Sequence, residues 1–317
     1  MAGSTSHGTL YGDIFHVKST PASAIPKNIA FTNKHLVPHQ DLSYYESMPG
    51  LQLLHFRQFG CDIVGGESTL VDALAAAEEF RCLAPHHFRT LVSCQATFVK
   101  QRHGACMTYS RPHIVLAPSL PQIPPCVSSD NKETEVFVRN AEIVAVNWSP
   151  PFEGPLSIPP DMVLPYYEAY SAFEQMLDVT ASVQSESISM KTYATNNSEN
   201  EKNITAMSQE ESSEFAKYAQ HFTWKYKLQP GEMLVFNNRR LLHGRMGFTS
   251  SGKDSNNLTT SAVQQKDDRS LARHLVGAYT NMDDTVNRYR ALLRSRKQDT
   301  KDFAFTRNVG NGTSILP

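Results

Sequence analysis

Between about residues 50 and 150 the apolar residues come mostly in short runs, many of them ended by Pro or Gly before a helix could form. The segments 50–56, 97–100, 114–117, 135–139 and 142–148 read as strands. Prolines crowd 118–125 and 150–160, where the chain crosses from one strand to the next. Helices are expected over 71–81 and 85–93, and a third over 160–178. There Val163, Tyr166, Tyr167, Tyr170, Phe173, Met176 and Leu177 recur at three-to-four spacing. Further along, 222–228 and 231–236 read as strands joined at Pro230-Gly231, 273–279 as a last strand and 283–296 as a closing helix. Many short strands with a few helices favour a mainly β jelly roll with flanking helices over a parallel sheet.

Composition narrows the partners. The 317 residues carry 30 Lys+Arg against 31 Asp+Glu, a formal charge of -1, which creates no long-range attraction for nucleic acid or an anionic membrane. No apolar run approaches the ~20 residues of a membrane-spanning helix. The five cysteines are scattered and never spaced as CxxC, so reduced thiols and a cytoplasmic setting are expected. A homodimer is compatible with such a chain. Two stretches, 182–213 and 249–268, are rich in Ser, Asn, Glu, Thr and Gln, and are expected as flexible insertions. The termini, 1–7 and 301–317, are expected to be loose.

The strongest local signal is Pro38-His39-Gln40-Asp41. On an extended segment residues i and i+2 project to one face, so His39 and Asp41 can present an imidazole and a carboxylate to one point. His243, within Arg240-Leu241-Leu242-His243-Gly244-Arg245, is the best third ligand. Two histidines and one carboxylate on a triangle leave positions open, the arrangement of non-haem Fe(II) oxygenases. Taken alone, a His-x-Asp is as readily a surface histidine and a turn aspartate. Ser68, in Gly65-Gly66-Glu67-Ser68, offers a small hydroxyl for a carboxylate. Arg273 opens an apolar strand, where its planar fork suits a bidentate carboxylate, unless it is an ordinary edge-strand arginine in solvent. His86-His87, His55, the three Asn-x-Ser/Thr sequons and the basic residues after Arg288 carry no chemistry on this reading.

Taken together these stretches resemble the 2-oxoglutarate-dependent dioxygenases of the TauD/TfdA superfamily, in particular the γ-butyrobetaine and trimethyllysine hydroxylase branch. The resemblance rests on Leu10-Tyr11-Gly12 with Phe15 and Val17, Asn28 to Thr32, His39-Gln40-Asp41 and Pro49 to His55. It continues through Gly65 to Ser68, Pro230-Gly231-Glu232, Arg240 to Arg245, and Arg273-His274-Leu275 with Gly277-Ala278-Tyr279, in family order. It implies a double-stranded β-helix, a cupin-like jelly roll, as one catalytic domain over 8–300. It implies Fe(II) held by His39, Asp41 and His243, and 2-oxoglutarate held by Arg273 with Ser68 assisting. It implies O2 as the other co-substrate, ascorbate in support, and succinate and CO2 as co-products.

Tyr11, Phe15, Phe31 and Tyr279 match the aromatic cage for a trimethylammonium group, although four aromatics in a jelly roll can equally be core. Asn28 and Ser149 match substrate-contacting positions. The pattern also breaks. Butyrobetaine members more often show Trp and Tyr where this chain has Phe15 and Phe31, and Asn-Asn near the place of Ser149-Pro150. The zinc module that precedes the catalytic domain in typical members has no counterpart before Tyr11, so a truncated or divergent shorter enzyme is expected. The expected substrate is therefore a small amino-acid or betaine-like molecule, hydroxylated by default, with desaturation or ring closure open to a specialised biosynthetic enzyme. The alternatives are a carnitine-pathway γ-butyrobetaine or trimethyllysine hydroxylase, a catalytically retired binding protein, and a zinc hydrolase, which has no use for Arg273.

Overall fold

Strand β3 (Leu51–Phe59) alternates partly and fully buried residues over its first six positions, because successive residues of an extended chain point to opposite faces. Its inward Leu54 and Phe56 join Leu275 of β14 (Arg273–Thr280) and Phe236 of β11 (Met233–Asn237) in one apolar cluster. With β1 (Ile14–Ser19) these strands form a sheet in the order β1-β14-β3-β11, antiparallel throughout. The computed structural model describes residues 8–19, 29–60, 63–102, 104–117, 136, 138–180, 209–250 and 273–295.

A second antiparallel sheet runs β10 (Thr223–Tyr226), β5 (Ser68–Asp72), β12 (Leu241–Arg245), β2 (Leu36–His39). Leu70 of β5 and Leu241 of β12 pack on the same cluster as Leu54 and Phe56. The two sheets therefore share one interior, which is the jelly roll. Two-stranded pairs flank it: β4 (Ile63–Gly65) with β13 (Phe248–Ser250), β6 (Gln95–Arg102) with β7 (Ala105–Pro112), and β8 (Ile114–Leu116) with β9 (Ile143–Val146).

The outer side of the second sheet is covered by helices. Val71 and Leu242 pack there with α1 (Ala73–Leu83), α2 (Pro85–Ser93), α3 (Val163–Leu177) and α4 (Gln209–Phe222). Asp72 starts α1 by accepting a hydrogen bond from the Ala75 amide at 3.2 Å, and Pro85 starts α2, where a missing amide costs nothing. Trp148 seals this layer, stacked on Tyr170 with ring centroids 4.5 Å apart. A last helix, α5 (Met282–Ser295), follows β14.

Three expectations need correction. Of the strand expected over 135–139, residues 136, 138 and 139 are helical, and the helix continues to 140. Val138 there is buried against the helical layer, so apolar spacing compatible with a strand is satisfied on a helix instead. The polar stretch 182–213 ends in helix, since α4 begins at Gln209. Phe215, Tyr218 and Phe222, three and four residues apart, dock on the helical layer and hold it. The stretch 249–268 begins inside β13. The remainder of both stretches, the termini 1–7 and 301–317 and the three sequons lie outside the described residues.

Candidate metal centre

β2 delivers His39 to the interior and ends there, so Asp41 sits in the turn beyond the strand rather than on it. The turn is strained: Leu42 has φ +63° and is the one non-glycine residue with positive φ among the described residues. Gln40 is fully buried and anchors the turn. Its Nε2 donates to the Val146 and Arg239 carbonyls at 2.9 and 3.2 Å, and its Oε1 accepts from the Trp148 amide at 3.1 Å.

His243 lies on β12 opposite His39 across the sheet, with ring centroids 4.3 Å apart. The Nε2 atoms of His39 and His243 stand 3.6 Å from Asp41 Oδ1 and Oδ2 respectively. Ligand atoms of all three residues lie within 4.8 Å of one another. His39 Nδ1 donates to the Val37 carbonyl at 2.8 Å, which leaves the Nε2 lone pair turned to the cluster. Burial, with His39 alongside, pushes the His243 imidazole down to about 3, so it is neutral and able to ligate. Burial raises the Asp41 carboxyl, but His243, His39 and the Tyr279 hydroxyl outweigh it and hold the group well below the usual carboxylate range. A carboxylate and two neutral imidazoles at this spacing suit a divalent iron.

The cluster opens into a cavity between the sheets. Arg273, only 6% exposed, reaches this cavity from the start of β14. Its Nε is buried without a hydrogen-bond partner, its guanidinium lies 4.9 Å from the Phe56 ring centroid, and no ion pair among the described residues includes it. Burial, with the Arg245 charge nearby, pulls its pKa well below the ordinary arginine value. A buried cation in that state favours an anion. Ser68 lines the same cavity and pairs with Arg245 across β5 and β12. The glycines before it make the approach possible: Gly65 has φ +84°, and a Cβ there would fall 2.5 Å from the Gly247 carbonyl oxygen.

Tyr11, Phe15, Phe31 and Tyr279 also line the cavity, joined by Phe152, which the sequence reading did not single out. Phe15 stacks on Tyr279 with centroids 5.0 Å apart and crowds Gly277, where a Cβ would come 2.1 Å from a Phe15 ring atom. Ser149 is not brought to the cavity: it is fully buried and its hydroxyl donates to the Gln40 carbonyl at 2.7 Å. It shapes the turn that carries Asp41 instead. Asn28 lies outside the described residues. Gln52 and Asn238, which contact Asp41 directly, also went unnoticed, although Gln52 falls inside a stretch that carries the family resemblance.

Two histidines and a carboxylate inside a two-sheet β cavity define the class of cupin-like metal centres from which non-haem iron oxygenases are built. The family model described as "Taurine catabolism dioxygenase TauD, TfdA family" matches residues 3–259. The chain belongs to that family. Dioxygenase str8 of Strobilurus tenacellus is 26% identical over 240 residues, 76% of this chain and 41% of that protein. The gamma-butyrobetaine dioxygenase of Pseudomonas sp. (strain AK-1) is 26% identical over 288 residues, 90% of this chain and 52% of that protein. The chain thus spans about half the length of the curated relatives it matches. Among solved structures, PvcB, an Fe, alpha-ketoglutarate dependent oxygenase, aligns at 15% identity with a TM-score of 0.45, over 89% of this chain and 68% of that one.

Proposed function

We propose that the protein is an Fe(II)- and 2-oxoglutarate-dependent dioxygenase of a small amino-acid or betaine-like substrate. One observation carries the reading: His39, Asp41 and His243 converge in a cavity that also holds a buried arginine with no anionic partner among the described residues. Iron, when bound, supplies the redox chemistry that couples O2 and the decarboxylation of 2-oxoglutarate to succinate and CO2 with oxidation of the substrate. His39, Asp41 and His243 would hold it. Arg273 would take the distal carboxylate of 2-oxoglutarate, with the Ser68 hydroxyl beside it. The aromatic wall of Tyr11, Phe15, Phe31 and Phe152 would position the substrate and exclude water, and its π-faces suit a cationic head group. Phenylalanines make a weaker cage than Trp and Tyr, which favours a substrate other than γ-butyrobetaine. Hydroxylation is the default outcome, and ascorbate is proposed to sustain turnover by keeping the iron ferrous. The reading takes 8–300 as one domain, in keeping with the late strand β14 lying between β1 and β3. A cytoplasmic setting agrees with Cys82 and Cys106 being free thiols.

The test is anaerobic addition of Fe(II) and 2-oxoglutarate, followed by air and a panel of amino acids and betaines read by LC–MS. A visible charge-transfer band, succinate and one oxidised panel member are expected. No band and no succinate would favour a binding protein, and rapid, coupled hydroxylation of γ-butyrobetaine would favour the carnitine-pathway alternative.

A further inference from the structure

Asp41 is held far more tightly than a metal ligand on a turn requires. Its amide donates to Asn238 Oδ1 and its carbonyl accepts from Asn238 Nδ2, both at 3.0 Å. Asn238 is fully buried, in the connection between β11 and β12. Two further donors converge on the carboxylate from the opposite sheet. Gln52 Nε2 of β3 donates to Oδ2 at 2.8 Å, and the Tyr279 hydroxyl of β14 donates to the same oxygen at 2.6 Å. Gln52 and Tyr279 are cross-strand partners, so adjacent strands aim both groups at one atom. Both are almost completely buried, and neither can move to water without opening the sheet. Each carboxylate oxygen lies 3.6 Å from one imidazole, Oδ1 from His39 Nε2 and Oδ2 from His243 Nε2, but Oδ1 takes neither of these two hydrogen bonds.

The geometry points to Gln52 and Tyr279 as positioning residues that clamp Oδ2 of Asp41 and so preset Oδ1 as the metal-binding oxygen. This rests on the metal-centre reading above and assigns Tyr279 a task other than substrate contact: its hydroxyl is committed to Asp41, and only its ring, stacked on Phe15, remains for the cavity wall. The physical reason is the entropy and alignment of the ligand. An unclamped carboxylate samples both oxygens and several rotamers, whereas one with an oxygen held by two donors presents the other in one direction.

The test uses Co(II), a divalent probe in place of iron, titrated into the intact chain without 2-oxoglutarate or substrate, read by calorimetry and by the visible d–d spectrum. Tyr279→Phe keeps the ring and removes only the hydroxyl, and Gln52→Leu keeps the bulk and removes the donor. Each is expected to weaken Co(II) binding roughly 10- to 100-fold and to alter the d–d spectrum, as loss of hydrogen bonds behind metal ligands typically does. Melting of the metal-free variants checks their folding, and if Gln52→Leu fails to fold, Tyr279→Phe decides. Affinities within twofold of the wild type with an unchanged spectrum would overturn the clamp and leave the metal centre standing, as would a Tyr279→Phe effect confined to substrate KM. A wild type that binds no Co(II) would overturn both.

Discussion

Replacing Arg273 with methionine probes the cavity from its cationic end, and the structure predicts two effects of opposite sign. In the free protein Arg273 is 6% exposed, its Nε lacks a partner among the described residues, and it lies close enough to Arg245 for their charges to repel. Effective desolvation of such a charge costs several kcal/mol, and an apolar side chain of similar volume is often neutral or stabilising by about 1–4 kcal/mol. Metal-free Arg273→Met should therefore melt at or above the wild type, with each kcal/mol worth about 2–4 °C in a chain of this size. Binding should move the other way. Deleting one partner of a buried, hydrogen-bonded charge pair costs about 2–5 kcal/mol, a roughly 30- to several-thousand-fold loss of 2-oxoglutarate affinity. Differential scanning calorimetry gives the first quantity, and anaerobic titration of the Fe(II) protein with 2-oxoglutarate at the charge-transfer band gives the second. Unchanged affinity would refute the assignment of Arg273 to the co-substrate. A variant melting well below the wild type would refute the idea that the cation is unsatisfied until an anion arrives.

Other outcomes follow from the same packing. Gly277→Ala places a methyl within 2.1 Å of the Phe15 ring and should push that ring off Tyr279, raising substrate KM while leaving Co(II) affinity within twofold; unchanged KM would count against an aromatic wall. Glu153, whose Oε1 has no partner among the described residues, has its carboxyl pushed up from 4.5 to about 7 by burial, against the lowering effect of a hydrogen bond with Tyr170. A raised carboxyl pKa means the folded state binds the proton more tightly, so this group's contribution to stability falls as pH rises from 4.5 to about 7. Glu153→Gln should therefore gain on the wild type across that window, by roughly 3 kcal/mol at most. A stability difference in urea that is the same at pH 5 and pH 8 would contradict it. His243→Ala removes a ligand that burial keeps neutral, and should abolish Co(II) binding at concentrations that saturate the wild type.

Local pattern made much of the architecture legible. The helix 85–93 coincides with Pro85–Ser93, and the strand expected over 273–279 differs from Arg273–Thr280 by a single residue. Both carry strong local signals, a proline at the first helical turn in one and a β-branched and apolar run in the other. The misreadings came where local signal was ambiguous. Around Val138 apolar spacing fitted a strand or a helix, and before Phe215 polar residues hid a helix held by its last two turns. The metal-ligand candidates were legible because two lie two residues apart in a motif and the third sits in a stretch in family order. Their supports were not, because Asp41 and Tyr279 are 238 positions apart in the chain.

The order of residues thus determines which segments extend, which coil, and which side chains are able to ligate a metal or grip a carboxylate, since these depend on each residue and its near neighbours. Only the tertiary structure decides that β14 enters between β1 and β3, and hence that Tyr279 spends its hydroxyl on Asp41 while Ser149 turns away from the cavity. Such pairings are chosen by burial and hydrogen-bond satisfaction summed over both sheets, a sum that no local stretch of the chain contains.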